Sequence, residues 1–252
     1  MTLLADSNPL EKLHVLGFPV HRTADYAGWL LSQARQGKGT HVVTLNAEMC
    51  MQGETDLALQ NAIRTADLVI PDGSGIELYF RWIEGLRLKR YPGIEFAADV
   101  LKRLHADETA LFYGGAPGVA DKAALHWQDQ CPDLNIALVQ HGYLSKEEQP
   151  AFYTQLQTLN PTVIFVGLGV PRQELWIQAH RHLVPNAAWI GVGGSFDIWG
   201  GVKERAPKWF CDNHLEWLYR LYQEPWRWRR MLALPKFVGR AFMYKWQRQQ
   251  TS

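Results

Sequence analysis

The first 200 residues alternate short apolar runs with amphipathic stretches, and this alternation constrains the fold more than any other feature of the chain. Some runs, such as Val163-Ile164-Phe165-Val166, are apolar at every position, which is typical of strands buried on both faces of a parallel sheet. Strands that alternate with helices predict an α/β fold with a doubly wound, Rossmann-like and mostly parallel sheet. The predicted strands are residues 12–18, 41–45, 67–71, 110–113, 135–140, 161–167 and 187–192.

The amphipathic stretches carry the start and stop signals of helices. Residues 25–36 end before a glycine, and residues 117–130 have a proline in the first turn. Residues 145–159 begin with a Ser-x-x-Glu capping box formed by Ser145 and Glu148. We therefore predict helices over these three ranges, between consecutive strands of the sheet.

The C-terminal segment differs in composition from the rest of the chain. Residues 203–252 contain eleven Lys and Arg against four Asp and Glu, a net charge of +7, which leaves −6 for residues 1–202 of a chain whose net charge is +1. The same segment holds five of the eleven tryptophans, and residues 206–222 predict one aromatic-rich helix. We expect an α/β domain in residues 1–202 and an appended helical, basic and aromatic element in residues 203–252.

The appended element has two principal interpretations. Tryptophan beside arginine and lysine is typical of segments that lie in a membrane interface. A terminal helix that packs on the core and leaves its cations in water is the alternative. A nucleic-acid surface is not favoured, because the rest of the chain is acidic and no nucleic-acid-binding motif is present.

Composition also excludes several classes of protein. Cys50, Cys131 and Cys211 are odd in number and far apart, so a disulfide framework is not expected and a reducing compartment is. No metal-ligand spacing is present, the first residues lack the pattern of a signal peptide, and no apolar run approaches the roughly 20 residues of a membrane-spanning helix. We expect a protein without a metal or other cofactor.

The strongest candidate for chemistry is Asp72, which follows an apolar run and precedes the turn Gly73-Ser74-Gly75. A carboxylate at the end of a buried parallel strand projects into the crevice where open α/β sheets bind ligands. Asp72 is therefore either a general base or the cap of the next helix. Thr44 and Asn46 end a neighbouring strand, and they either line the same crevice or cap a helix.

Two glycine turns are candidates for substrate binding. Gly114 and Gly115 follow a strand and open a helix, where free N–H groups could bind a diphosphate, although a plain turn has the same sequence. Gly169 precedes Arg172 and Gln173 in the first turn of another helix. A cation opposes the helix dipole there, so Arg172 indicates either an anionic ligand or an unimportant exposed side chain.

Two further residues have a binding and a structural interpretation. Asp197 follows the last glycine turn and either accepts hydrogen bonds from a nucleotide base or caps its helix. Arg90 lies in a basic turn and either meets a phosphate or is solvated.

Taken in order, these motifs resemble those of the WecG/TagA/CpsF glycosyltransferases, also called glycosyltransferase family 26, over nearly the whole chain. Any one motif is modest evidence, but six in the correct order are difficult to obtain by chance. The motifs are residues 44–48 (TLNAE), 71–75 (PDGSG), 114–120 (GGAPGVA), 167–174 (GLGVPRQE), 191–197 (GVGGSFD) and the pair 205–209 (RAPKW) and 215–221 (LEWLYRL).

The resemblance implies an inverting transferase that moves a sugar from a UDP-sugar to a polyprenyl-diphosphate-linked sugar at the inner membrane face. Family members transfer N-acetylmannosamine or its uronic acid in teichoic-acid linkage units or surface polysaccharides. The expected partners are thus a UDP-sugar, the lipid-linked acceptor and the cytoplasmic face of the membrane, where the protein is peripheral. If the appended element orders only at the membrane, we expect a soluble form to be either poorly active or self-associated as a homo-oligomer. Because no Asp-x-Asp occurs, a metal-independent reaction is expected.

The resemblance also implies roles for individual residues. Asp72 matches the proposed catalytic base, and Thr44 matches its neighbour in the pocket. Arg90 and Gln173 match residues proposed to hold the diphosphate and the sugar, and Asp197 lies in the motif expected near the uracil. The arginines of the appended element are expected to close over the site, and the candidates are Arg220, Arg227, Arg229 and Arg230.

One turn departs from the family pattern, and two other classes of protein stay open. Family members continue the basic turn as Arg-Val-x-Gly-(Ser/Ala)-Asp, whereas residues 90–95 of this chain read RYPGIE. Glu95 keeps the carboxylate of that Asp but lengthens its reach, and Tyr91-Pro92 stiffens the turn, so the departure bears on the donor sugar. A non-catalytic nucleotide-sugar-binding protein would use the same crevice. A nicotinamide-dependent oxidoreductase is less favoured, because the dinucleotide fingerprint is missing.

Overall fold

The computed structural model of the chain describes residues 10–251. In that range the strands form a two-stranded antiparallel hairpin and a six-stranded sheet in which every pair of neighbours is parallel. The strands are β1 (Glu11–Val15), β2 (Phe18–Arg22), β3 (Thr40–Leu45), β4 (Leu68–Pro71), β5 (Thr109–Gly114), β6 (Asn135–Gln140), β7 (Val163–Gly167) and β8 (Ala188–Gly191).

Helices occupy most of the segments between the strands, and they cover both faces of the sheet. The helices are α1 (Tyr26–Arg35), α2 (Ala47–Gly53), α3 (Leu57–Arg64), α4 (Ser74–Tyr79), α5 (Gly93–Lys102), α6 (Val119–Gln130), α7 (Gln149–Leu159), α8 (Arg172–His180), α9 (Ser195–Trp199), α10 (Lys208–Asp212), α11 (Glu216–Gln223), α12 (Trp228–Met231) and α13 (Ala233–Thr251). A π-helical turn (Phe80–Glu84) follows α4, and 3₁₀ turns (Arg181–Leu183 and Pro225–Arg227) follow α8 and α11.

The order of the large sheet is β4-β3-β8-β7-β5-β6, which confirms the predicted doubly wound α/β fold. The chain runs from β3 to β4 at one edge and from β5 to β6 at the other, so the connections diverge on either side of the central strands. Such a reversal opens a crevice at the carboxyl ends of the strands.

The strands are buried on both faces, as their continuous apolar runs predict. Val163 and Phe165 of β7 pack in one hydrophobic cluster with helices α1, α5, α6 and α9. Ile164 and Val166 of the same strand pack on the other face, together with residues of α7 and α8. The sheet therefore separates two apolar layers, and its polar edge is the place where a ligand can bind.

The prediction of one strand over residues 12–18 is wrong, because the chain forms a hairpin there. Leu16 and Gly17 both have positive φ, 49° and 81°, and they make the tight two-residue turn between β1 and β2. Leucine rarely adopts this conformation, so the local sequence does not indicate the turn. His21 of β2 covers the edge strand β4 by accepting a hydrogen bond from the Val69 N–H at 2.8 Å.

Two predicted helix boundaries also change. The capping box of Ser145 and Glu148 forms both of its hydrogen bonds, but the α-helix itself begins only at Gln149. The single helix predicted over residues 206–222 is instead α10 and α11, separated at His214, whose φ is +60°. The Asn213 side chain donates to the Trp209 carbonyl at 2.8 Å, a local bond of the kind that competes with helix continuation.

Helix α13 of the appended segment packs on the α/β body. Phe237 and Ala241 are 2% and 4% exposed and share a hydrophobic cluster with residues of α2 and α4. Arg240 pairs with Glu54 at 2.9 Å, close to α2. The packed-helix interpretation thus holds for one face of α13, and part of the positive charge of the segment is neutralised by the acidic body.

Candidate active site

The carboxyl ends of four strands bring separate parts of the chain to one crevice. Thr44 lies near the end of β3, Asp72 follows β4, Gly169 follows β7, and Gly193 follows β8. All four line the same cavity, as their positions after parallel strands predict.

The backbone fixes Asp72 at the mouth of β4. Its N–H donates to the Leu45 carbonyl at 2.8 Å, and the Tyr91 N–H donates to the Pro71 carbonyl at the same distance. Gly73 has φ +81°, so the chain turns sharply into α4. The N-cap of α4 is Gly73, and no side-chain bond caps the helix. The cap interpretation of Asp72 is therefore wrong.

The surroundings of Asp72 shift its acidity. Burial raises the pKa of Asp72 to about 6, and the nearby carboxylate of Glu216 acts in the same direction. Arg220, Arg90 and a hydrogen bond from the Gly93 N–H oppose this shift by favouring the charged form. A carboxylate with a pKa near neutrality accepts a proton more readily than an ordinary aspartate, and this is the property of a general base.

Glu216 connects the appended segment to the basic turn. One of its carboxylate oxygens lies 3.4 Å from Nη1 of Arg90, and the other accepts from Nη2 of Arg220 at 2.7 Å. Arg90 also donates to the Cys211 carbonyl at 2.6 Å. These contacts hold α11 beside Asp72. Arg90 of the body and Arg220 of the appended segment thus both pair with the carboxylate of Glu216.

A second group of charges borders the crevice. Arg227 pairs with Glu224 at 2.7 Å, and Lys203 lies 3.2 Å from the same glutamate and 2.9 Å from Asp197. Arg230 forms an ion pair with Glu48 of α2. Arg220, Arg227 and Arg230 of the appended segment all line the crevice, and their predicted role in binding substrate stays a prediction.

Asn46 and Thr44 have different surroundings. Asn46 caps α2, since its Oδ1 accepts from the Met49 N–H at 3.0 Å, and it lines the crevice as well. Thr44 faces Gly93, where a Cβ would lie 3.0 Å from the threonine hydroxyl oxygen. Both side chains lie in the same crevice as Asp72.

Gln173 belongs to a buried polar network beneath the crevice. Its Oε1 accepts from the N–H groups of Gly169 at 3.2 Å and Gly193 at 3.0 Å, so one amide ties together two of the glycine turns. Its Nε2 donates to Glu174, whose other oxygen lies 2.9 Å from Nε2 of His41. Gln173 lines the crevice, but its amide oxygen already accepts hydrogen bonds from two backbone N–H groups. Its predicted contact with the sugar stays a prediction.

The crevice has two compartments that share Asp72 and the arginines. The Thr44 compartment, of about 220 Å³, contains Thr44, Gly93, Gln173 and Gly193. The Trp217 compartment, of about 130 Å³, contains Trp217 and turns towards α12 and α13. The residues common to both are Asn46, Glu48, Asp72, Glu216, Arg220, Arg227 and Arg230.

Gly114, Gly115 and Arg172 do not line either compartment. A Cβ at Gly114 would lie 2.4 Å from the Gly167 carbonyl oxygen, so close strand packing is a sufficient reason for this glycine. Arg172 is exposed and donates to the Leu168 carbonyl at 2.9 Å, as the interpretation of an exposed side chain expects.

Asp197 and Arg229 also lie outside both compartments. Asp197 holds Lys203, which does line the crevice. Arg229 lies 5.4 Å from the centre of the Trp228 ring, and it borders a shallow surface depression beside α13. A direct contact of either residue with substrate stays a prediction.

Sequence reasoning missed several charged residues of the crevice. Glu216 lies in the motif of residues 215–221, but no local pattern distinguishes it from a solvated carboxylate. The same reason applies to Lys203, Glu224 and Glu48. Lys203 pairs with Glu224, and Glu48 pairs with Arg230, and no local pattern in the sequence indicates these ion pairs. Glu95, the glutamate that stands in place of the family's aspartate, forms an ion pair with Arg205 near the start of the appended segment.

Two kinds of feature are absent from the part of the chain that the structure describes. Within residues 10–251 no group of three or more His, Cys, Asp or Glu side chains is arranged so that it could hold a metal ion. In the same range no helix is both long enough and apolar enough to cross a bilayer.

The fold and the crevice together define an α/β protein that surrounds one carboxylate of raised pKa with cations from two parts of the chain. Comparison with known proteins gives the class more closely. The chain belongs to the WecG/TagA/CpsF family of glycosyl transferases, whose model matches residues 13–251. It is therefore a glycosyltransferase, as the resemblance of the motifs implies.

Two relatives carry the same descriptive name, N-acetylglucosaminyldiphosphoundecaprenol N-acetyl-beta-D-mannosaminyltransferase. The protein of Bacillus spizizenii is 34% identical over 204 residues, which cover 81% of this chain and 79% of that protein. The protein of Bacillus subtilis is 32% identical over 201 residues, which cover 79% of this chain and 78% of that protein.

Proposed function

We propose that this glycosyltransferase moves N-acetylmannosamine, or a related hexose, from a UDP-sugar to a polyprenyl-diphosphate-linked sugar, with inversion and without a metal. The observation that carries the proposal is Asp72, a carboxylate with a pKa of about 6 that lies in a crevice beside Arg90 and Arg220. The names of the two Bacillus relatives support this choice of donor sugar and acceptor.

In the proposed reaction Asp72 accepts the proton of the acceptor hydroxyl as that oxygen attacks the anomeric carbon of the donor. The new bond forms on the face opposite the diphosphate, so the configuration inverts while the bond from the sugar to UDP breaks. Asp72 then releases its proton to water. The products are UDP and an acceptor that is one sugar longer. A base of this kind contributes about 10²–10⁴ in rate.

UDP leaves with negative charge on its diphosphate, and the cations of the crevice are suited to receive it. Arg220, Arg227, Arg230 and Lys203 all line the Thr44 compartment. Fixed cations that face a developing charge can supply electrostatic stabilisation of this kind without a metal.

The cytoplasmic face of a membrane is the proposed place of action. A lipid-linked diphosphate lies at headgroup depth, where arginine and tryptophan side chains are favoured. The appended segment offers such residues on its surface, including Trp226 and Trp228, which are both exposed.

A transfer assay tests the proposal directly. Purified full-length protein is incubated with UDP-N-acetylmannosamine and an N-acetylglucosaminyl-diphosphate acceptor, with and without EDTA. We expect UDP release, a product one sugar longer, and equal rates in both conditions, and NMR of the product reports the anomeric configuration.

Each alternative has its own result in this assay. Binding of the UDP-sugar without turnover on the acceptor would support a non-catalytic nucleotide-sugar-binding protein. Loss of activity in EDTA that returns with added Mg²⁺ or Mn²⁺ would overturn the metal-independent mechanism. A product that keeps the donor's anomeric configuration would overturn inversion.

A further inference from the structure

An apolar groove of about 350 Å³ adjoins the crevice, between α4 with its π-helical turn on one side and α12 and α13 on the other. Its walls include Leu78, Trp82, Trp217, Leu234 and Val238. A pocket that binds a small organic ligand typically measures about 300–1,000 Å³. The volume and the apolar lining of the groove are those of a binding site for a hydrocarbon.

The groove is continuous with the charged part of the site. Trp217 and Leu234, together with Ser74, line both the groove and the Trp217 compartment. The same compartment contains Asp72 and Arg220. An amphiphile could therefore lie with its anionic group among the arginines and its apolar chain along the groove, without a break in the contact.

The groove is held open, and its rim is accessible. Phe237 and Ala241 anchor α13 on the body, whereas Val238 and Phe242, which lie one helical turn apart on the groove side, are 47% and 56% exposed. Trp82 forms the opposite rim and is 56% exposed. Exposed apolar side chains around a concave surface mark a site that binds an apolar partner.

We propose that this groove binds the first isoprenoid units of the polyprenyl-diphosphate acceptor. The proposal rests on the proposed function, because the diphosphate among the arginines fixes where the polyprenyl chain begins. The arginines of the Trp217 compartment complement the charge of that diphosphate. The polyprenyl tail would then leave the compartment along the groove. The tail would thereby orient the acceptor sugar towards Asp72.

The test compares two water-soluble acceptors with the same N-acetylglucosaminyl-diphosphate, one esterified with farnesol and one with methanol, so that no membrane is needed. For the wild-type protein we expect a KM about tenfold or more lower for the farnesyl acceptor, since the groove takes its chain out of water. Val238→Trp fills the groove but keeps it apolar. It should bring the two KM values to within about threefold while leaving kcat/KM for the methyl acceptor unchanged.

Met243→Trp is the matched control, because Met243 is an exposed residue of the same helix that does not line the groove. It should keep the wild-type preference for the farnesyl chain. A wild-type protein that uses neither acceptor would contradict the proposed function itself. A wild-type protein that uses both acceptors equally, or a Val238→Trp protein that keeps the farnesyl preference, would overturn only the groove proposal.

Two further outcomes would assign the groove to another occupant. A change in oligomeric state of Val238→Trp, measured by light scattering without acceptor, would indicate a second copy of the chain. Reduced sedimentation of Val238→Trp with acceptor-free vesicles, with an unchanged farnesyl preference, would indicate bilayer lipid. Either result would overturn the proposal.

Discussion

At the scale of the residue, the acidity of Asp72 is set by charges from two parts of the chain. Arg90 comes from the turn before α5, and Arg220 and Glu216 come from α11. Glu216 pairs with both arginines and thus moderates their effect on the aspartate. The pKa of Asp72 is therefore adjustable by substitutions that leave Asp72 itself in place.

The acid limb of the kcat/KM profile should follow these charges, because kcat/KM reports the ionisation of the free enzyme. Wild-type activity should fall as the pH drops through about 6, where Asp72 gains its proton. Glu216→Gln removes a charge that raises the pKa of Asp72, so its limb should move to lower pH. Arg220→Gln removes a charge that lowers this pKa, so its limb should move to higher pH. Limbs that coincide in all three proteins would assign the titration to another group.

At the scale of the element, the break between α10 and α11 decides how the site is assembled. The local sequence of residues 206–222 reads as one amphipathic helix, whereas His214 turns the chain so that Glu216 meets Arg90, 126 residues away. No local pattern reports such a contact. The strands and the positions of Thr44 and Asp72 were predictable, because buried apolar runs identify parallel strands and topology brings their ends together.

The glycine turns show how little a local motif decides by itself. Gly114-Gly115 has the local sequence of an anion site, but Gly167 of the neighbouring strand packs against it. Gln173 was predictable as a crevice residue from its place in the first turn of α8. Its bonds to Gly169 and Gly193 were not, since they join turns that are distant in sequence.

The docking of α13 should depend on its apolar anchor more than on its ion pairs. Phe237→Ala should lower the free energy of unfolding by about 3–5 kcal/mol, the usual cost of removing a buried phenylalanine. Arg240→Ala should cost about 0–1 kcal/mol, because the pair with Glu54 is largely solvated. Urea unfolding of both variants measures this difference. Equal costs would indicate that charge, rather than burial, holds the helix.

At the scale of the whole molecule, charge and apolar surface are concentrated in the same segment. Residues 203–252 carry a net charge of +7, and several of their tryptophans and other apolar side chains are exposed. The buried face of α13 packs on the body, while Met243 and Trp246 of the same helix are exposed to solvent. A molecule built in this way has one side suited to an anionic membrane surface.

Vesicle sedimentation tests whether the appended segment binds an anionic membrane surface. The full-length protein should sediment with vesicles that contain phosphatidylglycerol, less so as salt is raised, because exposed charges are screened. The double variant Trp226→Ala/Trp228→Ala removes two exposed indoles and should bind less. Leu125→Ala, a change at an exposed position on α6, is the control and should bind as the wild type does. Equal binding by all three proteins would contradict a membrane role for these tryptophans.

Deletion of α13 is a poorer test of the same idea, because it would also remove Phe237 and Ala241 from a hydrophobic cluster of the body. Loss of activity after such a deletion would combine a lost membrane contact with a damaged core. Substitutions on the exposed face separate these two effects.

The most direct test of the central claim is the single-turnover rate of Asp72→Asn with saturating donor and acceptor. We expect a rate about 10²–10⁴ lower than that of the wild type, the scale of a lost general base. Because burial raises the pKa of Asp72 above its ordinary value, ionisation destabilises the folded state at neutral pH. The variant should therefore be more stable than the wild type at pH 7.5, by a margin that closes as the pH falls from about 6 towards 4. A near-normal rate in this stably folded variant would remove Asp72 from the role of base.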